Sequence, residues 1–77
     1  MSRKPIPKPS LLDKCEYFGV RDGRKVWRSQ DGKRYYTWDS LHGEIEAFDK
    51  RGMHLGVVHT LTGVALKPAI KGRKINV

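Results

Sequence analysis

The feature that most constrains the fold is a pair of alternating stretches on either side of a glycine turn. Residues 44–49 and 53–60 largely alternate apolar and polar side chains, and Lys50-Arg51-Gly52 lies between them. Alternation with a period of two predicts β-strands. A three-residue turn with Gly52 in the left-handed region predicts a hairpin in which Asp49 faces Met53.

This predicted register assigns the hairpin side chains to two faces. The apolar face consists of two facing pairs, Ile45 with Val57 and Ala47 with Leu55. The other face collects polar groups and a glycine that leaves room for a ligand: His42, Glu44, Glu46 opposite Gly56, and His54 opposite Phe48. A slip of one residue would mix the two faces, so the pattern itself supports the register.

Further strands are predicted on both sides of this hairpin. The sequence indicates an earlier hairpin, with one strand at Val26 and Trp27, a turn at Gln30-Asp31-Gly32 and a second strand at residues 35–38. Its turn is either a two-residue Asp-Gly turn or a three-residue turn with Gly32 in the left-handed region, and both remain open. After a turn at residues 61–63, residues 64–66 should pair back on the preceding strand until Pro68 interrupts pairing.

The N-terminal part differs in composition. Residues 1–9 hold three of the four prolines and three cations, which predicts a basic arm that is flexible or draped on the surface. Ser10, with Asp13 at the capping-box position, predicts a short helix over residues 11–16. That helix should pack through Leu11, Leu12 and Cys15, and Gly19 should end this element. The predicted fold for residues 10–77 is mainly β (small α+β), a single highly twisted antiparallel sheet of about four to six strands with a short N-terminal helix.

Size and cysteine content exclude several classes of protein. Seventy-seven residues make one small domain with a thin core. A single cysteine excludes an internal disulfide, and the histidines lack cysteine partners at ligand spacing, so we expect neither a metal nor a cofactor. No apolar run approaches the ~20 residues that cross a bilayer. The formal charge of +8 favours a nucleic-acid or acidic-protein partner.

Acidic residues are concentrated in one short window of this basic chain. Half of the eight fall between residues 39 and 49, whereas residues 1–12 and 50–77 contain none. One interpretation is a polar strand with solvated charges. The other is an acid–base site, because carboxylates on a polyanion-binding surface repel phosphate and are retained there for proton transfer.

The second interpretation suits cleavage of RNA, which carries its own nucleophile in the 2′-hydroxyl. Glu46 and His42 could supply the base and the acid, Asp39 could orient the imidazole, and a cation would stabilise the charged phosphorane. DNA lacks the 2′-hydroxyl and would be spared. Trp27, Trp38 and the two tyrosines at 35 and 36 could stack on bases, although at least half of them should be core residues.

The segment from Tyr36 to Glu46, which contains WDSLHGEIE, resembles the cytotoxic domain of the ribosome-inactivating nuclease colicins and cloacin. The likeness continues through His54-Leu55-Gly56, Thr62-Gly63 and Leu66-Lys67 to the tail at residues 71–75, and covers roughly residues 24–77. The family's catalytic Asp, His, Glu and Arg fall on Asp39, His42, Glu46 and Arg73. The resemblance alone singles out Arg73 among the tail cations.

The resemblance implies a metal-independent ribonuclease that cuts small-subunit ribosomal RNA at the decoding site. It also implies a ribosome partner, an acidic immunity protein, and action in the bacterial cytoplasm after delivery within a secreted toxin, or an intracellular protein if the chain stands alone. Two departures are Phe48 in place of a family tyrosine and a loop at residues 49–52 that is one residue shorter. The alternative function is a non-catalytic RNA- or ribosome-binding module.

Residues outside the catalytic set are expected to contact RNA. His54 beside Phe48 is expected to be a packing or substrate-stacking residue, and His59 a surface residue. The complete predicted RNA-contacting set is Lys33, Arg34, Glu44, Phe48, His54, Lys67, Lys71 and Lys74.

Overall fold

The computed structural model describes residues 3–77, which form a single antiparallel sheet of six strands in chain order. The strands are β1 (Glu16–Arg21), β2 (Arg24–Arg28), β3 (Arg34–Asp39), β4 (Glu44–Asp49), β5 (His54–Val58) and β6 (Ala65–Lys67). The predicted mainly β class is confirmed. The predicted helix is one 3₁₀ turn, Leu11–Lys14, with the expected Ser10–Asp13 capping box, and it ends early because Glu16 already begins β1.

Strand β1 differs from the prediction, in which the β pattern begins only at Arg24. Gly19 does not end the helical element but lies inside β1, at a break in register between Tyr17 and Gly19. The turn to β2 is Asp22-Gly23, and both residues have positive φ (53° and 76°). An Asp-Gly pair with this backbone is a strong hairpin signal, so Asp22-Gly23 marks a hairpin that the sequence prediction did not include.

The loop between β2 and β3 is longer than either predicted turn. Arg28 pairs with Tyr35, and the Ser29 N–H donates to the Arg34 carbonyl at 2.9 Å, so the loop spans residues 30–33. Gly32 does lie in the left-handed region, with φ of 73°. The Asp31 carboxylate accepts hydrogen bonds from Ser29 and from the Lys33 N–H, which stabilises the longer loop.

The β4–β5 hairpin follows the predicted register only near its turn. The Asp49 N–H donates to the Met53 carbonyl at 2.9 Å, and Phe48 pairs with His54, as predicted. A bulge then shifts the remaining pairs by one residue, to Ile45–Val58, Glu46–Val57 and Ala47–Gly56. The predicted partners of those three β4 residues are therefore wrong. The bulge turns Leu55 outward, where it is 41% exposed, and buries both following valines.

Strand β6 pairs with β5 as expected. It covers residues 65–67, whereas the prediction was residues 64–66. Its backbone passes so close to Gly56 that a Cβ there would overlap the Lys67 carbonyl oxygen. Gly56 thus makes room for β6, not for a ligand as the sequence suggested.

Two apolar clusters, one on each face of the sheet, support the strands. Leu12, Tyr36, Ile45, Ala47 and Val58 form the first, with Leu11 and Cys15 packed against it as predicted. Burial raises the pKa of the Cys15 thiol, which suits a packing residue. Val26, Tyr35, Phe48 and Ile75 form the second. Ile75 anchors the C-terminal tail through a hydrogen bond from its N–H to the Gly52 carbonyl.

The part of the N-terminal arm that the structure describes, residues 3–9, is draped over the sheet; residues 1 and 2 lie outside the described residues. The Lys4 N–H donates to the Ser40 carbonyl at 2.8 Å, and the Trp38 indole N–H donates to the Lys4 carbonyl at 3.1 Å. Between residues 3 and 77 no helix has the length and apolar character needed to span a bilayer.

Candidate active site

The turn after β3 joins Asp39 to His42. The Gly43 N–H donates to the Asp39 carbonyl at 2.7 Å, and Gly43 has a φ of 68°, which closes the turn. Asp39 accepts hydrogen bonds from the backbone N–H groups of Leu41 and His42 through Oδ1, and Nδ1 of His42 lies 2.8 Å from Oδ2. The predicted approach of Asp39 to His42 is therefore observed. The imidazole is 65% exposed, with Nδ1 committed to Asp39.

The environment of Asp39 favours its ionised form. Partial burial acts to raise the pKa of this carboxyl group, but the hydrogen bonds from the His42 ring and from the backbone N–H groups of His42 and Leu41 outweigh it. The net effect holds the pKa of Asp39 below its ordinary value. The carboxylate can therefore orient the imidazole over a wide pH range.

Glu46 lies in the middle of β4 with its side chain only 4% exposed. Three nitrogen groups approach its carboxylate. Arg73 donates to Oε1, and Arg24 donates to Oε2 at 3.0 Å. Nε2 of His54 lies 3.1 Å from Oε1, although the geometry of this contact falls short of a hydrogen bond. A buried carboxylate is tolerated here because cations surround it.

The neutral form of the His54 ring has a defined tautomer. Its Nδ1 accepts a hydrogen bond from the Ile70 N–H at 2.9 Å, so this nitrogen carries the lone pair. Nε2, which lies near the Glu46 carboxylate, must then carry the proton. The ring also packs edge-on against Phe48, with centroids 5.2 Å apart. Packing was predicted for His54, but its contact with Glu46 was not.

All four predicted catalytic residues line one cleft of about 470 Å³. Asp39, His42 and Glu46 come from β3, β4 and the turn between them, whereas Arg73 comes from the C-terminal tail. Two backbone contacts hold the tail at this cleft. The Arg73 carbonyl accepts a hydrogen bond from the His54 N–H, and Lys74 forms an isolated antiparallel β-bridge with Met53.

The predicted RNA-contacting residues divide into three groups. Glu44, His54 and Lys67 line the cleft, and Lys67 donates to Glu44 at 2.6 Å on its rim. Phe48 is 1% exposed and reaches the cleft only through His54. The remaining cations are exposed and lie outside the cleft lining: Lys33, Arg34, Lys71 and Lys74.

Arg24 was missed by the sequence analysis. It begins β2 and shares a face with Val26, which pairs with Thr37; Thr37 in turn pairs with Glu46. The alternation of β2 places Arg24 on the same face as Val26. Predicting its contact with Glu46 would also have required the pairing of β2 with β3 and of β3 with β4.

Asp39, His42 and Glu44 each offer one ligand atom, and these atoms lie within 4.8 Å of one another. Such a set could hold a divalent cation. Each of these side chains already has a partner in the protein, since Asp39 and His42 contact each other and Glu44 accepts from Lys67.

Comparisons with known proteins identify a family that matches most of this chain. The family model named Cytotoxic matches residues 13–76. A 45-residue segment is 44% identical to colicin E3 of Escherichia coli, and a segment of the same length is 42% identical to colicin-E6 of that organism. Each match covers 57% of this chain but 8% of the colicin, so the chain corresponds to a small part of those relatives. Because the family model covers most of the sequence, the chain belongs to the Cytotoxic family, that of the colicin-type cytotoxic ribonuclease domains.

Proposed function

We propose that this domain cleaves small-subunit (16S) ribosomal RNA at the decoding site and thereby inhibits translation. The reaction is a metal-independent acid–base transesterification in which the 2′-hydroxyl attacks the adjacent phosphate. The observation that supports it best is the convergence of Asp39, His42, Glu46 and Arg73 on one cleft of a strongly basic domain.

Glu46 and His42 are the proton-transfer pair. One removes the proton of the 2′-hydroxyl, and the other protonates the departing 5′-oxygen, each contributing a factor of ~10²–10⁴ in rate. Asp39 holds the imidazole by its Nδ1 and leaves Nε2 for the substrate. Arg73 on one oxygen of Glu46 and Arg24 on the other supply fixed positive charge for the phosphorane.

Metal independence is supported by the partners that the potential ligands already have. The two guanidinium groups supply the charge that a metal ion would otherwise bring. Protein treated with excess EDTA and then desalted should cleave intact ribosomes as fast as untreated protein. Loss of cleavage that a divalent ion restores would instead assign Asp39, His42 and Glu44 to a required metal site.

The charge of +8 supports two partners, the ribosome with its RNA and an acidic immunity protein. The domain acts in the bacterial cytoplasm, delivered as part of a secreted toxin. Residues 1–9 serve as the arm, and residues 10–77 form the ribonuclease domain.

The decisive experiment is primer extension on small-subunit RNA from intact ribosomes treated with this protein. The parent should produce one new stop at the decoding site, and both Glu46→Gln and His42→Ala should abolish it while ribosome affinity is retained. Glu16→Gln makes the same chemical change at an exposed carboxylate and is the matched control. If both active-site variants cut as well as the parent, the domain is a non-catalytic ribosome-binding module.

A further inference from the structure

A second cleft, of about 420 Å³, lies next to the candidate active site. It sits at the end of the sheet where the β1–β2 turn approaches the β3–β4 turn. Its principal lining residues are Arg3, Arg24, Lys25, Trp27, Trp38 and Asp39. Asp39 also lines the active-site cleft, and Arg24 donates to Glu46 within that cleft. The two clefts are therefore adjacent, with Asp39 and Arg24 at their junction.

The aromatic part of this second cleft consists of Trp27 and Trp38, which are the two tryptophans of the chain. Trp27 pairs with Tyr36, two residues before Trp38, so both indoles lie on the same face of the sheet. It is the face opposite to that of Glu46, and both indoles pack against the first apolar cluster there, so the two clefts meet around the end of the sheet. Each indole is held in place. Trp27 packs edge-on against Tyr17 with centroids 5.6 Å apart, and Trp38 donates its N–H to the Lys4 carbonyl. Both are partly exposed.

The polar part of the cleft is cationic. Arg3, Arg24 and Lys25 line it with a single carboxylate, Asp39, whose oxygens already accept hydrogen bonds from the backbone and contact the His42 ring. Arg24 also donates to Glu46, and Arg3 donates to the Ser40 hydroxyl. Fixed indoles stack on bases, and cations bind phosphates, so this combination suits a nucleotide of a single strand. A volume of several hundred Å³ is also in the range of small-ligand sites.

We propose that this second cleft is a subsite for a nucleotide that flanks the scissile phosphate of single-stranded RNA. The base stacks on the indoles of Trp27 and Trp38, and Lys25 and Arg24 contact the neighbouring phosphates. The position of Arg24, between the two clefts, links this nucleotide to the one at which the chain is cut. The inference rests on the proposed ribonuclease function, because that function makes RNA the ligand.

Tryptophan fluorescence tests the subsite directly, because both tryptophans lie in it. A six-nucleotide single-stranded RNA is titrated into the inactive His42→Ala protein. Stacking should quench the emission in a saturable manner, and Trp27→Phe and Trp38→Phe assign the quenching to one indole or both. Trp38→Leu should weaken binding about 5- to 100-fold if its indole carries the base. Thermal unfolding shows whether the Trp38→Leu variant is folded. If the His42→Ala protein with both tryptophans in place shows no saturable quenching, the subsite is overturned.

A second measurement separates the subsite from general attraction to RNA. Lys25→Gln should weaken RNA binding, and raise KM for ribosomes, about 2- to 5-fold. Lys14→Gln removes the same charge from an exposed lysine on the 3₁₀ helix and should change neither value appreciably. Equal effects of the two substitutions would overturn the subsite.

The two proposals fail in distinguishable ways. If the parent cleaves ribosomal RNA but its tryptophans do not respond to RNA, the ribonuclease function stands and the subsite is wrong. If quenching occurs and depends on Lys25 but the parent does not cleave, a nucleotide site is supported and the ribonuclease proposal is wrong.

Discussion

Replacing Glu46 with glutamine should destabilise the domain as well as inactivate it. Substitutions of catalytic residues often leave stability unchanged or increase it, because active sites are built for function at some expense of stability. Glu46 differs because its buried carboxylate separates two guanidinium groups, those of Arg24 and Arg73. Glutamine keeps the shape but removes the charge, which leaves two cations facing each other in a protein of charge +8.

The size of the effect follows from exposure. Hydrogen bonds to charged groups contribute about 1.5–3 kcal/mol each, and breaking a buried ion pair costs about 3–5 kcal/mol. The arginine side chains are 47% and 42% exposed, so water screens much of the interaction. We therefore expect a loss of about 1–3 kcal/mol in the free energy of unfolding. For a domain of this size, that loss lowers Tm by about 5–20 °C.

Thermal unfolding followed by circular dichroism measures this difference, with Glu16→Gln as the matched control that should change the free energy by less than about 0.5 kcal/mol. A double-mutant cycle sharpens the test. Arg24→Gln should be destabilising in the parent but neutral or stabilising in the Glu46→Gln background, because it then relieves repulsion. A Glu46→Gln protein that unfolds at or above the Tm of the parent would refute the idea that this carboxylate holds the two cations together.

Three other predictions test the frame around the site. Gly56→Ala should lower the free energy of unfolding by about 2–5 kcal/mol, because the backbone has a φ of 126° and the new Cβ would overlap the Lys67 carbonyl oxygen. Gly72→Ala, at a φ of 85° with open space around it, is the control and should lower it by about 1–2 kcal/mol. Folding lowers the pKa of Asp39, so its carboxylate stabilises the folded state fully above pH 3.8, the ordinary pKa, and this stabilisation is lost as the pH falls below that value. The difference in Tm between the parent and Asp39→Asn should therefore narrow in acid. Binding of single-stranded RNA should weaken with salt at a log–log slope of roughly −0.7 per phosphate contact, and a flat response would exclude the basic surface as the docking face.

Local sequence signals were sufficient for one half of the candidate site. Asp39 and His42 are three residues apart across a glycine turn, and a short side-chain contact at that spacing needs no information from elsewhere in the chain. Alternation along β4 placed Glu46 on the polar face of its strand. These features depend on neighbours within a few residues, which is why composition and periodicity predict them.

The other half of the site depends on pairing between distant segments. The bulge in β5 shifts the register by one residue, and alternation alone does not reveal a bulge that sends Leu55 to solvent. The contact of Arg24 with Glu46 requires β2, β3 and β4 in register. Arg73 reaches Glu46 only because the tail folds back, anchored by Ile75 in the core. Nothing near Arg73 in sequence distinguishes it from Lys71 or Lys74.

Under the proposed function, the geometry around Glu46 explains how a carboxylate can stand in a surface that binds a polyanion. Without RNA, the carboxylate is the anion that Arg24 and Arg73 contact, so it keeps both guanidinium groups in place before the substrate arrives. Phosphate oxygens accept hydrogen bonds from guanidinium groups as carboxylate oxygens do. When the scissile phosphate enters, it can take over part of these contacts, and the freed carboxylate oxygen is then next to the ribose at the moment when a proton must be moved. In the proposed reaction, the acid in the basic surface is therefore both a placeholder for phosphate and a member of the proton-transfer pair.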